Sequence, residues 1–162
     1  MTGLRAVCDR TRSLLLRALG RRPGPSPSAR DPLGPAGERA AAKFLRRAGY
    51  RILGRNLRVP MGEADLLCLA PDRRTIVLVE VKTRRVNSSA DHPASPPPEA
   101  SVHAAKRRKL TAILNHLAAA NNWRSRPLRI DVVAVEWPDR GPPVLRHHTG
   151  VFAVTPHSPP RR

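Results

Sequence analysis

Glu63, Asp65, Glu80 and Lys82 are spaced to do chemistry together. Residues two apart on a β-strand share a face. Glu80 and Lys82 therefore point the same way if their segment is extended, and so do Glu63 and Asp65. Were the two segments paired as a hairpin, a carboxylate from each strand would meet a lysine at one end of a hydrophobic sheet. Two carboxylates about 5 Å apart repel by about 3 kcal/mol at an effective dielectric near 20. A divalent cation removes that penalty, and an oxygen-rich set of this kind suits Mg2+ or Mn2+. The plain alternative is that Glu80 and Lys82 are solvent-facing residues at a strand end.

The hairpin is legible around them. Residues 63–70 and 75–83 read as strands joined by a short turn. The run TIVLV (75–79) is continuous, apolar and rich in β-branched residues, as in a central strand buried on both faces. Upstream, the spacing predicts a helix over 37–48, with Ala41, Phe44, Leu45 and Ala48 as its core stripe. Glu38 lies on that same stripe, in the first turn of the expected helix. It either interacts with the helix N-terminus or faces the sheet-end cluster. Gly49 supplies the stop, a strand follows over 50–59, and residues 60–62 turn into the hairpin.

Beyond Lys82, residues 84–98 show no periodicity and several prolines, so a mobile loop is expected there. A second helix over 99–121 buries Leu110, Ile113, Leu114 and Leu117. One turn back, the same stripe reaches Lys106 at the start of a basic KRRK run. Residues 128–136 form another apolar strand, interrupted by Asp131, which reads as a structural hydrogen-bonding residue. Residues 144–154 form a weaker final strand or a pair of short ones. His147 and His148, being adjacent, point to opposite faces and read as surface or structural.

Residues 1–36 are arginine- and proline-rich and read as a basic, disordered arm ahead of a domain over 37–155, with 156–162 as a tail. The 162-residue chain carries a formal charge of +18. The arm supplies +5 and Arg161 with Arg162 a further +2, so the excess is spread through the folded part as well. A polyanion is the natural partner, and nucleic acid is the commonest one. Aromatic residues are only 3% of the chain, which disfavours base-stacking platforms and favours recognition of duplex or branched structures through the backbone. Arg58, Arg84, Lys106 and Arg107 are the expected phosphate contacts. Two cysteines give neither a disulfide framework nor zinc spacing, so a reducing cytoplasm is expected. No apolar run approaches a membrane span.

The ordered pieces are a helix with G-E near its start, G-Y-x-I-L-x-R-N, R-x-x-x-G-E-x-D-L, V-x-V-E-V-K-T-R, a lysine-bearing helix and R-I-D-V-V. In this order, over residues 37–154, they resemble the YraN-like uncharacterised bacterial family. That family is similar to the restriction-endonuclease-like PD-(D/E)xK nucleases, including Holliday junction resolvases. The resemblance implies an α/β core, a mixed sheet flanked by helices. It implies Asp65 and Glu80 as metal ligands, Lys82 as the water-positioning or charge-stabilising lysine, and Glu38 as a helix-borne acid joining the metal set. Ala64 stands where the motif has proline. The expected activity is Mg2+- or Mn2+-dependent endonuclease cleavage, of DNA more than RNA. A non-catalytic basic adaptor for DNA, or for RNA and the ribosome, is the alternative. Related resolvases act as dimers, so a homodimer stays open, although no apolar seam marks an interface.

Overall fold

The computed structural model describes residues 32–86, 104–123 and 125–154. The elements run α1 (Leu33–Arg47), β1 (Arg51–Val59), β2 (Gly62–Leu69), β3 (Ile76–Val86), α2 (Ala104–Ala120), β4 (Leu128–Pro138) and β5 (Val144–Ala153). The strands form one five-stranded sheet in sequence order. β1, β2 and β3 pair antiparallel, β3 and β4 pair parallel, and β4 and β5 pair antiparallel. The sheet is thus mixed, with a helix on each face, an α/β architecture as expected.

β3 is central, and Ile76 to Val79 are at most 1% exposed. Its side chains alternate between two cores. Ile76 and Leu78 pack with Leu110, Ile113, Leu114 and Leu117 of α2. Val77 and Val79 pack with Ala41, Ala42 and Leu45 of α1. The predicted stripe of α2 is therefore buried in full. In α1, Ala42 takes a core place, while Ala48 is an exposed cap beyond the last turn.

Several boundaries differ from the pattern-based expectation. α1 opens at Leu33 rather than Gly37, so residues 33–36 are helix and not arm. Pro32 is its N-cap and Pro35 lies in its first turn, where a missing N–H costs nothing and the fixed φ is helical. Glu38 consequently sits in the second turn, and the first turn holds no acidic residue. Helix-terminus electrostatics then has little hold on Glu38, because the effect fades within that turn.

β3 also runs on to Val86, so residues 84–86 are strand rather than loop. Arg84, Arg85 and Val86 pair with Glu136, Trp137 and Pro138 of β4, and parallel pairing carries the strand past its apolar run. The rest of the expected loop, residues 87–98, lies outside the described residues, as do residues 1–31, 99–103 and 155–162. β5 is one strand whose register against β4 shifts around Asp131. Among the described residues no helix is long and apolar enough to cross a membrane.

Candidate cation site at the end of the sheet

Glu80 is the last buried residue of β3, at 5% exposure. It follows the α2-facing series Ile76, Leu78, so its side chain turns toward the start of α2. There the Lys106 ammonium lies 2.9 Å from Glu80 Oε1. Lys82, two residues along β3 and on the same face, reaches the same oxygen at 3.2 Å. The other oxygen, Oε2, is buried and has no hydrogen-bond partner. A buried carboxylate oxygen left in that state is costly unless something electropositive meets it.

Asp65 arrives from β2 where the β2–β3 ladder stops, at the pair Leu66–Val79. Face alternation breaks there as well: Ala64 belongs to the α2-side core and Leu66 to the α1-side core, although they are two residues apart. The side chain closes the ladder, Asp65 Oδ2 accepting the Val81 N–H at 2.7 Å. Burial pushes the Asp65 carboxyl up to about 6, and the charges of Glu80 and then Glu38 add to that push. The Val81 amide and Lys106 oppose it. Ionised together, these acids form a site short of positive charge.

Glu38 follows the glycine at which α1 meets β3. Its charge is felt at Asp65, but it does not stand with Asp65 and Glu80 as a three-acid group. A Cβ on Gly37 would stand 1.9 Å from Thr83 Oγ1, so only glycine lets α1 lie this close to β3. Opposite, Gly62 opens β2 at φ +138°, and a Cβ there would meet the Lys109 side chain. The basic start of α2 thus leans across the first residue of β2.

The family model described as "Uncharacterised protein family UPF0102" matches residues 37–135, a stretch holding Glu38, Asp65, Glu80, Lys82 and Lys106. A UPF0102 protein of Pelobacter propionicus is 36% identical over 138 residues, 83% of this chain and 94% of the relative. Another, from Kineococcus radiotolerans, is 39% identical over 123 residues, 76% of this chain and 95% of the relative. One from Symbiobacterium thermophilum is 43% identical over 104 residues, covering 64% and 81%. The chain belongs to the UPF0102 family.

In this UPF0102 protein the remaining candidates go to separate places. Glu63 is exposed and paired with Arg58 across the β1–β2 ladder at 3.0 Å, so it faces solvent and not the cluster. Arg84 pairs with Glu136, which also holds Arg146 at 2.8 Å. These arginines hold the Glu136 carboxyl below its ordinary range. Arg107, Arg108 and Lys109 are exposed on α2, while Lys106 is turned inward.

Asp131 proves structural, as its sequence position suggested. It is fully buried and accepts from Arg129 Nε at 2.8 Å and Nη2 at 2.9 Å, from His147 Nε2 at 2.9 Å and from the Gly150 amide at 2.9 Å. Arg129 also donates to the Tyr50 hydroxyl at 2.8 Å, and the Tyr50 and Phe44 rings meet His147 edge-on. Sequence reasoning missed this network and the Lys106–Glu80 pair. The signal for the latter was present, since Lys106 continues the Leu110–Leu117 stripe.

The donor set of the UPF0102 site fits a small hard cation in part. Among the described residues no three His, Cys, Asp or Glu side chains stand as a ready cage. Two carboxylates do converge, Glu80 with an orphaned oxygen and Asp65 with Oδ1 left over once Oδ2 has taken Val81. Mg2+ is commonly held by one or two carboxylates, with water filling its other positions. The set suits that mode and not an all-protein cage.

Proposed function

We propose that this protein is a Mg2+- or Mn2+-dependent endonuclease with a restriction-endonuclease-like core that hydrolyses phosphodiester bonds in DNA. The observation that carries the reading is the buried, unpartnered Oε2 of Glu80 beside Asp65, with Lys82 on the same strand face. Asp65 and Glu80 would hold the cation, with water in its other positions, and Glu38 would act from α1 through its charge alone. When bound, the ion would supply a Lewis acid for the phosphate and lower the pKa of a water.

The protein's own groups do the rest. Val81 N–H fixes Asp65 in place through Oδ2. Lys82 Nζ, 44% exposed along its side chain, is free enough to meet the charge that grows on phosphate oxygens in the transition state. Arg107, Arg108 and Lys109 line the exposed face of α2 beside the site and would take neighbouring phosphates. The scarcity of aromatic residues favours duplex or branched DNA over single strands. A cytoplasmic setting fits the buried, unbridged Cys68.

The test is a cleavage panel on single-stranded, duplex and branched DNA, with and without Mg2+ or Mn2+. Metal-dependent cleavage that vanishes in Asp65→Ala and Glu80→Ala is expected. Equal cleavage by the variants would place the activity elsewhere.

One observation favours a second reading. Lys82 and Lys106 together already neutralise Glu80 without a metal, as a binding module that had kept only the fold would require. Such an adaptor would bind DNA with steep salt dependence and give no calorimetric signal with Mg2+. Competition that prefers RNA would make it an RNA- or ribosome-associated protein.

A further inference from the structure

Glu80 Oε1 receives two ammonium groups, one more than its single charge requires, while Oε2 receives none. The two lysines are not equivalent. Lys82 is tied to Glu80 by the strand itself, two residues away on one face. Lys106 comes from α2, makes the shorter contact at 2.9 Å, and has a side chain 34% exposed. Its backbone neighbours Arg107, Arg108 and Lys109 already face solvent. A modest turn about its flexible stem takes the ammonium from Glu80 to that outer basic face. The carboxylate it would leave is 6% exposed, and its other oxygen is already buried without a partner.

We propose that Lys106 is the resident counter-ion of Glu80 in the cation-free protein, and that a divalent cation displaces it toward the substrate phosphate. The inference rests on the cation reading above and adds a regulated order to it. Lys106 and the cation compete for Glu80, so the ammonium weakens metal binding when no nucleic acid is present. Once displaced, Lys106 gains a phosphate to hold. Cation and DNA then strengthen each other's binding by the same factor, as linkage requires.

The experiment titrates Mn2+ calorimetrically into the full chain without DNA, comparing wild type with Lys106→Met, Lys106→Arg, Lys82→Met and Glu80→Gln. Removing a unit positive charge this close to the site should tighten Mn2+ binding about tenfold in Lys106→Met. Lys106→Arg should stay near wild type, and Glu80→Gln should lose binding. If the methionine variant does not fold, Lys106→Gln carries the same test. In a second readout, Mn2+ should tighten wild-type binding to a cleavage-resistant phosphorothioate duplex, and this gain should be smaller in Lys106→Met, which keeps only the part the ion itself supplies.

Wild-type Mn2+ binding that needs Glu80 but is unchanged or weakened in Lys106→Met overturns the counter-ion role and leaves the metal reading standing. Binding by Lys106→Met alone supports the role in its strongest form. If neither protein binds Mn2+, the metal reading fails and takes this inference with it.

Discussion

Asp65 accepts the amide of Val81 at 2.7 Å, so a side-chain carboxylate takes over where the backbone ladder between β2 and β3 ends. The bond anchors Asp65, but burial and the Glu80 charge still push its carboxyl up to about 6. The folded chain therefore holds this proton more tightly than the unfolded chain does. Stability falls as pH rises from the ordinary carboxylate range through about 6, and levels off above it. The cost at pH 7 is on the order of 2 kcal/mol, after screening at a half-buried position. An asparagine at this position still offers a carbonyl to Val81 and carries no charge. Asp65→Asn should thus match wild type near pH 4 and exceed it by roughly that amount at pH 7. Urea unfolding in a chelator across pH 4–8 reads the difference, and parallel curves would refute it.

The contact between α1 and β3 makes a sharper structural prediction. Alanine at position 37 would gain helix propensity of about 1 kcal/mol. It would also drive its Cβ to 1.9 Å from Thr83 Oγ1 and 2.9 Å from Thr83 Cβ. A β-branched side chain on a central strand cannot swing far, so overpacking of about 1–3 kcal/mol should win. Gly37→Ala is expected to be destabilised, and Thr83→Ala in the same chain should restore part of the loss. A thermal-unfolding double-mutant cycle measures this coupling, and additive effects would contradict it.

Much of this arrangement is legible in the residue pattern because it is local. The run 75–79 announces a strand buried on both faces, and the α2 stripe follows from helical spacing. Glu80 and Lys82 share a face because they are two apart. Partner choice between distant segments is not local. The α2 stripe turns Lys106 inward, but it does not say that the ammonium ends on a carboxylate 26 residues earlier, rather than on a phosphate. Nothing near Asp131 says that His147 and Gly150 converge on it where the β4–β5 register shifts. The start of α1 departs from the pattern for a different reason. Proline signals a linker by composition, yet in a first helical turn it is harmless. The end of β3 departs because parallel pairing with Glu136 to Pro138 holds a charged stretch extended.

Cys68 offers a probe of the core that is independent of the cation site. It is buried and unbridged, and burial, together with the charge of Asp131, pushes its thiol up to about 12. Since the thiolate is the reactive form, alkylation at pH 8 should proceed only through opening of the β2–α1 core. In a Cys8→Ser background, which leaves Cys68 as the sole cysteine, iodoacetamide labelling should rise with urea in step with unfolding. Fast labelling of the folded chain would mean that this core is open.

Asp131 should act in the opposite pH direction to Asp65. Burial alone would raise its carboxyl, but the bonds from His147, Arg129 and the Gly150 amide outweigh burial and hold it below the ordinary range. Its contribution is therefore complete above the unfolded carboxylate pKa and disappears as pH falls through the depressed folded value. Asparagine at this position replaces an acceptor oxygen with a donor. It leaves the Arg129 guanidinium without its counter-charge and forces an N–H toward His147 or Gly150. Breaking a buried pair from one side costs about 3–5 kcal/mol, so Asp131→Asn should lose about that much at pH 7. The gap to wild type should narrow below pH 4, where the unfolded chain takes up a proton that the native carboxylate still resists. It should level off once the native carboxyl is protonated as well. Chemical unfolding at pH 7 and pH 3 distinguishes this from a simple packing defect, whose cost would be the same at both.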